Sequence, residues 1–299
     1  MKRILLAGEF ALSVEQKTRL EKLAEVNIDT TISSKEDLVS KSKNYDVLCN
    51  WGDYLPDALY ELKDILVTYP YTEIGAFDSK KLANNGVYVA NSQGGNRKSI
   101  VEWTVFMTIS LFRKFPVFLR TETQYPFTST ESLEGKLVVI VGHGTIGTEV
   151  GDRLGTFGMK IEYYNRGDDL AAAVANADLV VNALNCNGTS ENLLDADFFM
   201  NMKEDSYYIT FARPFTYDIE GLSAALESGH LAGAAIDCDP EPLFDISNEF
   251  YKKCLSNEKI LVTPHVAGVT RQAAANGLEI MVQNIEAYLA GTPINILQK

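Results

Sequence analysis

The chain has few of the residues that would mark a specialised class. Only four cysteines occur in 299 residues (Cys49, Cys186, Cys238 and Cys254). They are scattered, with no C-x-x-C pair and no spacing suited to a metal site. Neither a disulfide scaffold nor a metal centre is therefore expected, and the four read as buried, reduced thiols. No apolar run reaches the length of a bilayer span. The N-terminal apolar stretch is too short for a signal peptide and reads as a first strand, so the expected location is cytoplasmic. Positive charge is also scarce: 27 Lys and Arg against 40 Asp and Glu leave a net charge of −13. That balance disfavours nucleic acid or an anionic membrane as partner, though a locally positive site could still hold a small anion. Only three histidines, His143, His230 and His265, are available for acid–base work near neutral pH. What remains, 46% hydrophobic and 22% charged residues, is ordinary globular material of a length that suits two domains.

Residues 138–166 organise the chain. Val138, Val139, Ile140 and Val141 read as a strand buried on both faces, as in a parallel sheet. Gly142, Gly144 and Gly147 follow in the spacing G-x-G-x-x-G. Ile146, Val150 and Leu154 then recur at helical spacing until Gly155 and Gly158 break the helix, and a second strand over 160–164 ends at Asn165-Arg166. Strand, glycine turn, helix and strand within about 30 residues form the unit that binds a dinucleotide. Gly142 permits the tight turn, Gly144 lets backbone approach a pyrophosphate, and Gly147 lets helix and strand pack closely. The pyrophosphate is expected on the helix N-terminus, where free N–H groups and the dipole attract anions.

The remaining pattern alternates short apolar runs with helical spacing. Before the glycine turn, strands are expected at 4–8, 26–32, 46–51, 65–69 and 86–90, with a helix capped by Ser13 and Gln16 after the first. Short helices are expected at 35–42 and 56–62. Residues 99–115 form a long helix that is apolar nearly all round, which implies burial between domains or between subunits. Residues 121–132 read as a loop. After Arg166 the reading is a helix to 177, strand 179–184, helix 196–202, strand 207–211, helix 219–228, strand 233–237, strand 260–262 and a long helix 272–290. The expected fold class is α/β, with two doubly wound parallel-sheet domains and a cleft between them. One domain is flavodoxin-like, at 1–95 plus 272–299, and the other is a Rossmann domain at 96–271.

Several ordered stretches carry a resemblance: VYVANSQGGNRKSIVEW, VGHGTIGTEVGDRLGTFGM, ITFAR, LESGHLAGAAIDCDPEP and TPHVAGVT. Along nearly its whole length the chain resembles the D-isomer-specific 2-hydroxyacid dehydrogenase family. The resemblance implies a catalytic arginine, glutamate and histidine at Arg213, Glu241 and His265. It implies cofactor contacts at Gly142, Gly144, Thr145, Ile146, Gly147, Asn165, Arg166 and Asp237, and substrate contacts at Tyr71, Thr72, Glu73 and Arg213. It also implies a homodimer formed through the long apolar helix. Reduction of a 2-keto acid needs a hydride at the carbonyl carbon and a proton at its oxygen. A histidine can donate that proton, a carboxylate can fix its tautomer, and an arginine fork can hold the substrate carboxylate. By contrast His230 follows Gly229 at a helix end, where a dipole partner explains it, and His143 occupies a variable position of the glycine turn.

Departures from the family pattern bear on the site. Pro214 stands where glycine usually follows the arginine, which biases Arg213 toward extended backbone. The stretch from Asp237 to Glu241 looks one residue short. Thr72 and Glu73 occupy a substrate loop, 69–75, that is usually richer in glycine. No carboxylate stands at Asn165-Arg166 to bind ribose hydroxyls, so the strand end favours NADP, with NAD the alternative. Two rival readings remain: a non-catalytic NAD(H)-sensing binding protein of the corepressor type, and a formate or phosphite dehydrogenase. Formate enzymes tend to carry glutamine where Glu241 stands.

Overall fold

The computed structural model describes residues 1–72, 77–120, 129–238 and 246–298. The chain divides into two units, residues 1–96 with 270–299, and residues 97–269. Each unit is built on one parallel sheet.

The first unit contains β1 (Arg3–Ala7), β2 (Glu25–Asp29), β3 (Val47–Cys49), β4 (Ile65–Thr68) and β5 (Val87–Ala90), in the order β2-β1-β3-β4-β5. Alternate side chains feed two cores. Leu5, Leu48, Ile65, Val67, Val87 and Val89 pack on one face with Leu38, Leu55, Leu59 and Leu82. Ile4, Leu6, Val47, Cys49 and Leu66 pack on the other with Leu20, Met281, Val282 and Ile285. Each buried aliphatic side chain contributes roughly 1.5–3 kcal/mol of transfer free energy, and burial on both faces is what the continuous apolar runs encode. The Val14–Leu23 helix begins with the expected capping box: Gln16 N–H donates to Ser13 Oγ and Ser13 N–H to Gln16 Oε1.

The second unit contains β6 (Leu137–Val141), β7 (Lys160–Tyr164), β8 (Leu179–Asn182), β9 (Ser206–Thr210), β10 (Leu231–Cys238) and β11 (Ile260–Pro264). Their order is β11-β10-β9-β8-β6-β7. Val139 and Val141 belong to one core with Phe198, Phe199, Tyr208 and Leu222, while Val138 and Ile140 belong to the other with Val101, Leu111, Val150 and Leu154. The expected strand buried on both faces is therefore present, alternating by single residues.

Other expectations shift. The long apolar helix runs Arg97–Phe112 and stops because Lys114 adopts a left-handed φ of 53°; a separate helix, Phe115–Arg120, follows. Its burial within the unit is one-sided: Val101, Met107, Leu111 and Phe112 are buried, but Phe106 is 57% exposed and Ile109 37%. The helix expected to reach 177 spans only Leu170–Val174, capped by Asp169. The one expected over 56–62 is a short helix, Leu55–Ala58, continued as a 3-10 turn. Glu249–Ser256 is a helix that periodicity did not reveal. Cys49, Cys238 and Cys254 are buried, whereas Cys186 is exposed, against expectation. Among the described residues, no helix is long and apolar enough to cross a membrane.

The Arg271–Leu289 helix is tied to the first sheet by a buried polar residue. Asn284 Nδ2 donates to Asn91 O (2.9 Å) and Thr68 Oγ1 (3.3 Å), and its Oδ1 accepts from Asn295 (2.8 Å). Asn284→Ala leaves buried partners unsatisfied, so it should cost about 1–3 kcal/mol. The check is urea unfolding, with a lower midpoint and an unchanged slope expected.

Candidate active site

The glycine turn follows β6 directly. Gly142 has φ +114°, and a Cβ there would lie 2.4 Å from Ala183 O, at the end of neighbouring β8. A Cβ on Gly147 would lie 2.1 Å from Gly142 O, so the helix can approach the turn only as glycine. Gly144 is different. It is the N-cap of the Thr145–Gly155 helix, offers no side-chain cap, and has open space where a Cβ would stand. The first-turn N–H groups of Thr145, Ile146 and Gly147 thus lack a capping side chain beside a position that admits close approach. An uncapped helix N-terminus fits a pyrophosphate.

At the end of β7, Asn165 and Arg166 are exposed. Asn165 N–H donates to Asp168 Oδ2 (3.0 Å), so the nearest carboxylate turns back onto the strand-end backbone. Arg166 Nη2 donates to Thr189 Oγ1 (2.8 Å) in the loop after β8. His143 has a feature the sequence reading missed. Its ring stacks on Tyr163, with centroids 3.8 Å apart and planes 12° from parallel. The signal was available in the register, since Ile140 pairs with Tyr163 and brings the turn after β6 beside the end of β7. His230 contacts Met202 O at 2.8 Å, next to the C-terminal end of the Ala196–Asn201 helix.

The ends of β10 and β11 hold the other candidates. His265 adopts φ 59°, a left-handed conformation that costs a non-glycine residue of order 1–3 kcal/mol. Asp237 pins the surrounding turn. Its Oδ1 accepts from Thr263 Oγ1 (2.5 Å) and Val266 N–H (2.9 Å), and its Oδ2 accepts from Ala267 N–H (2.9 Å). Trp103 Nε1–H donates to Thr263 Oγ1 (3.2 Å), extending the network to the Arg97–Phe112 helix. Asp237, expected as a cofactor contact, has its oxygens on the turn that carries His265. Burial pushes its carboxyl above the ordinary aspartate range, against the pull of Thr263, the two backbone amides and the nearby His265. Arg213 follows β9 with φ −67° and ψ 153°, the extended conformation expected before Pro214. Its carbonyl accepts from Thr216 N–H and Oγ1, which fixes the arginine backbone. Glu241 lies outside the described residues.

In the first unit, Tyr71 is exposed and edge-on to Trp51, and Thr72 O accepts from Asn91 Nδ2 (2.6 Å). Gly277 supports this loop from the Arg271–Leu289 helix, where a Cβ would lie 2.2 Å from Pro70 O. Glu73 lies outside the described residues.

Two open parallel sheets, a glycine turn at an uncapped helix and a histidine on a pinned turn narrow the choice of families. Residues 105–267 match the model described as D-isomer specific 2-hydroxyacid dehydrogenase, NAD binding domain. The chain belongs to that family. It is 26% identical to a D-lactate dehydrogenase of Staphylococcus epidermidis, over 93% of this chain and 94% of the relative. It is 28% identical to a glyoxylate reductase of Thermofilum pendens, over 86% and 82%. In fold it is similar to the D-mandelate dehydrogenase of Rhodotorula graminis, with a TM-score of 0.84, 22% identity, and 100% and 98% of the chains covered. An acyclic imino acid reductase in complex with NADPH and D-Arg gives a TM-score of 0.81 at 18% identity, covering 99% and 100%. The family's members are NAD(P)-dependent 2-hydroxyacid dehydrogenases.

Proposed function

We propose that this protein reduces a 2-keto acid to its D-2-hydroxy acid, and runs the reverse reaction, with a nicotinamide cofactor. The observation that carries the reading is His265 held in a left-handed turn by a buried carboxylate, on the same sheet as the open glycine turn. A turn fixed by three hydrogen bonds to Asp237 pre-organises a proton donor, a feature that a cofactor-sensing binding protein has no chemical need for. Residues 97–269 then form the cofactor domain, and 1–96 with 270–299 the substrate domain.

The division of labour follows from residue chemistry. The nicotinamide, when bound, supplies or accepts the hydride. Arg213 binds the substrate carboxylate through its planar fork, and polarises the carbonyl. His265 gives its proton to the carbonyl oxygen in reduction and takes it back in oxidation. Asp237 acts through the turn, by fixing where the imidazole stands. Glu241 as the imidazole's partner, and Glu73 in the substrate loop, rest on the family resemblance. Gly142, Gly144, Thr145, Ile146 and Gly147 receive the pyrophosphate. His265→Ala should lower kcat by about 10²-fold or more, the scale for losing a general acid, while cofactor titration still saturates. Near-normal turnover would remove His265 from the mechanism.

For the cofactor, we read the end of β7 as favouring NADP. Arg166 stands there with no carboxylate at the preceding position, and Asp168 is engaged by the Asn165 backbone. A 2′-phosphate could share the guanidinium with Thr189 through charge-assisted hydrogen bonds, each worth about 1.5–3 kcal/mol. Since 1.4 kcal/mol is about tenfold in affinity, NADPH is expected to bind about tenfold tighter than NADH or more. Asn165→Asp combined with Arg166→Ala should reverse the order. Fluorescence titration of both cofactors checks it, and tighter binding of NADH to the wild type would assign the site to NAD.

Two copies are read as associating through the Arg97–Phe112 helix, because Phe106 and Ile109 are large apolar side chains left uncovered within the unit. Sedimentation at micromolar concentration should give a dimer, and Phe106→Glu should shift it to monomer. A wild type that sediments as a monomer would assign those side chains to the surface of a single chain.

A further inference from the structure

The Arg97–Phe112 helix sends a side chain to the end of the second sheet. Thr104, Thr108 and Ser110 turn their hydroxyls back onto their own helix, donating to Ile100 O, Thr104 O and Phe106 O. Trp103 reaches outward. Its half-buried ring lies against the core that Val101, Leu111 and Ile209 share. Its Nε1–H donates to Thr263 Oγ1 at 3.2 Å, across 160 residues of sequence. Thr263 stands beside Asp237 in the register of β10 and β11. Its hydroxyl donates to Asp237 Oδ1 (2.5 Å), and its carbonyl accepts from His265 N–H (3.2 Å). One residue therefore joins the indole, the buried carboxylate and the backbone of the proton donor.

The direction of each bond follows from what the groups can do. An indole N–H only donates, and a hydroxyl has one hydrogen and two lone pairs. With Trp103 donating to it, Thr263 Oγ1 keeps its own hydrogen for Asp237. The carboxylate then accepts from Thr263, Val266 and Ala267. A neutral carboxyl would bring a further hydrogen to the same oxygens, so this arrangement favours the charged form. His265 acts on Asp237 in the same sense, and Glu102, beside Trp103 on the helix, is exposed. With a phenyl ring in place of the indole, the hydroxyl is free to turn and accept from a protonated Asp237. The turn then loses its charged anchor.

We infer that Trp103 is a positioning residue for the proton donor: its N–H fixes the Thr263 hydroxyl as a donor to Asp237, and that bond holds the turn of His265 in place. This rests on the reductase reading above. The role needs no contact with substrate or cofactor, because Trp103 acts through Thr263 and Asp237. Hydrogen bonds in a chain polarise one another, so a loss at one end is felt at the other. Packing and positioning differ in what a phenyl ring can replace, since Trp103→Phe keeps an apolar ring and loses the donor.

Turnover and spectroscopy test it separately. Trp103→Phe should lower kcat and kcat/KM together by about tenfold, the scale of one buried hydrogen bond, with KM and the NADPH titration unchanged. Thr263→Val should lower kcat at least as much, and Thr263→Ser should restore it. Trp103→Phe combined with Thr263→Val should be no worse than Thr263→Val alone. Full activity in Trp103→Phe, a raised KM with kcat intact, or losses that add in the double variant overturns the inference while the reductase reading stands. The second measurement needs no turnover. The chain has two tryptophans, so Trp103→Phe assigns the indole N–H signals in a nitrogen–proton correlation spectrum of the whole protein. Thr263→Val and Asp237→Asn should each move the Trp103 signal and leave that of Trp51 in place. A signal that moves in both, with no reduction of any keto acid, keeps the hydrogen-bonded chain and overturns the reductase reading. A Trp103 signal indifferent to Asp237→Asn overturns the link.

Discussion

The second unit depends on one close approach of backbone to backbone. Gly142 passes the end of β8 and Gly147 passes Gly142, each with no room for a Cβ. Both contacts exist because β6 is buried on both faces and must deliver the chain directly into a helix that packs on the same sheet. A methyl at either position meets a carbonyl oxygen, so the helix would have to retreat from the sheet. Retreat would carry the N–H groups of Thr145 to Gly147 away from the end of β6, where the strand order opens the sheet. The uncapped helix N-terminus is thus a product of packing, and its place follows from where the helix is permitted to start.

A second constraint runs the opposite way, from electrostatics to backbone. Asp237 is a buried carboxylate at the end of β10, a placement that costs free energy unless it is hydrogen-bonded. Thr263 and two amides satisfy it, and in doing so they fix the turn in which His265 takes a left-handed φ. The strain at His265 persists because the surroundings over-determine it. Burial raises the Asp237 carboxyl, so a proton binds the folded state more readily than the unfolded one, and the stability gained from that proton is lost as pH rises through the folded value. In its charged form the carboxylate keeps all three donors, and the nearby His265 favours that form.

Much of this was legible in the sequence because packing on two faces writes continuous apolar runs. Val138 to Val141 announced β6, and the glycine spacing announced the turn. Pro214 announced the extended backbone of Arg213, and Ser13 with Gln16 announced a capped helix. What escaped notice depends on contacts between distant segments. The Glu249–Ser256 helix has an apolar face of Phe250, Tyr251 and Cys254, but over eight residues that face is too brief to tell a helix from a turn by periodicity, although Asn248 caps it. The end of the long helix at Phe112 is set by a left-handed Lys114, a conformation that composition does not signal. Asp237 reads as one more strand-end acid until β11 is laid beside β10 and brings Thr263, Val266 and Ala267 to its oxygens. Exposure of Phe106 on an otherwise apolar helix is a fact about which neighbours the unit supplies, and a single helix cannot state it.

Within each unit the same topology poses the same question: what stands at the carboxyl ends where the strand order reverses. In the second unit the answer is glycine, and the absence of side chains leaves backbone N–H groups and a helix dipole, which suit phosphate. In the first unit the loops after β1 and β3 carry Phe10 and Trp51, which meet edge to face, and Asn50 is turned back onto backbone. The helix after β1 is also capped, by Ser13, so its first turn is not left open as it is at Gly144. The shared strand reversal therefore sets which loops stand at that edge of each sheet, and the residues at the reversal set their chemistry. For this reason the family assignment leaves the keto acid open.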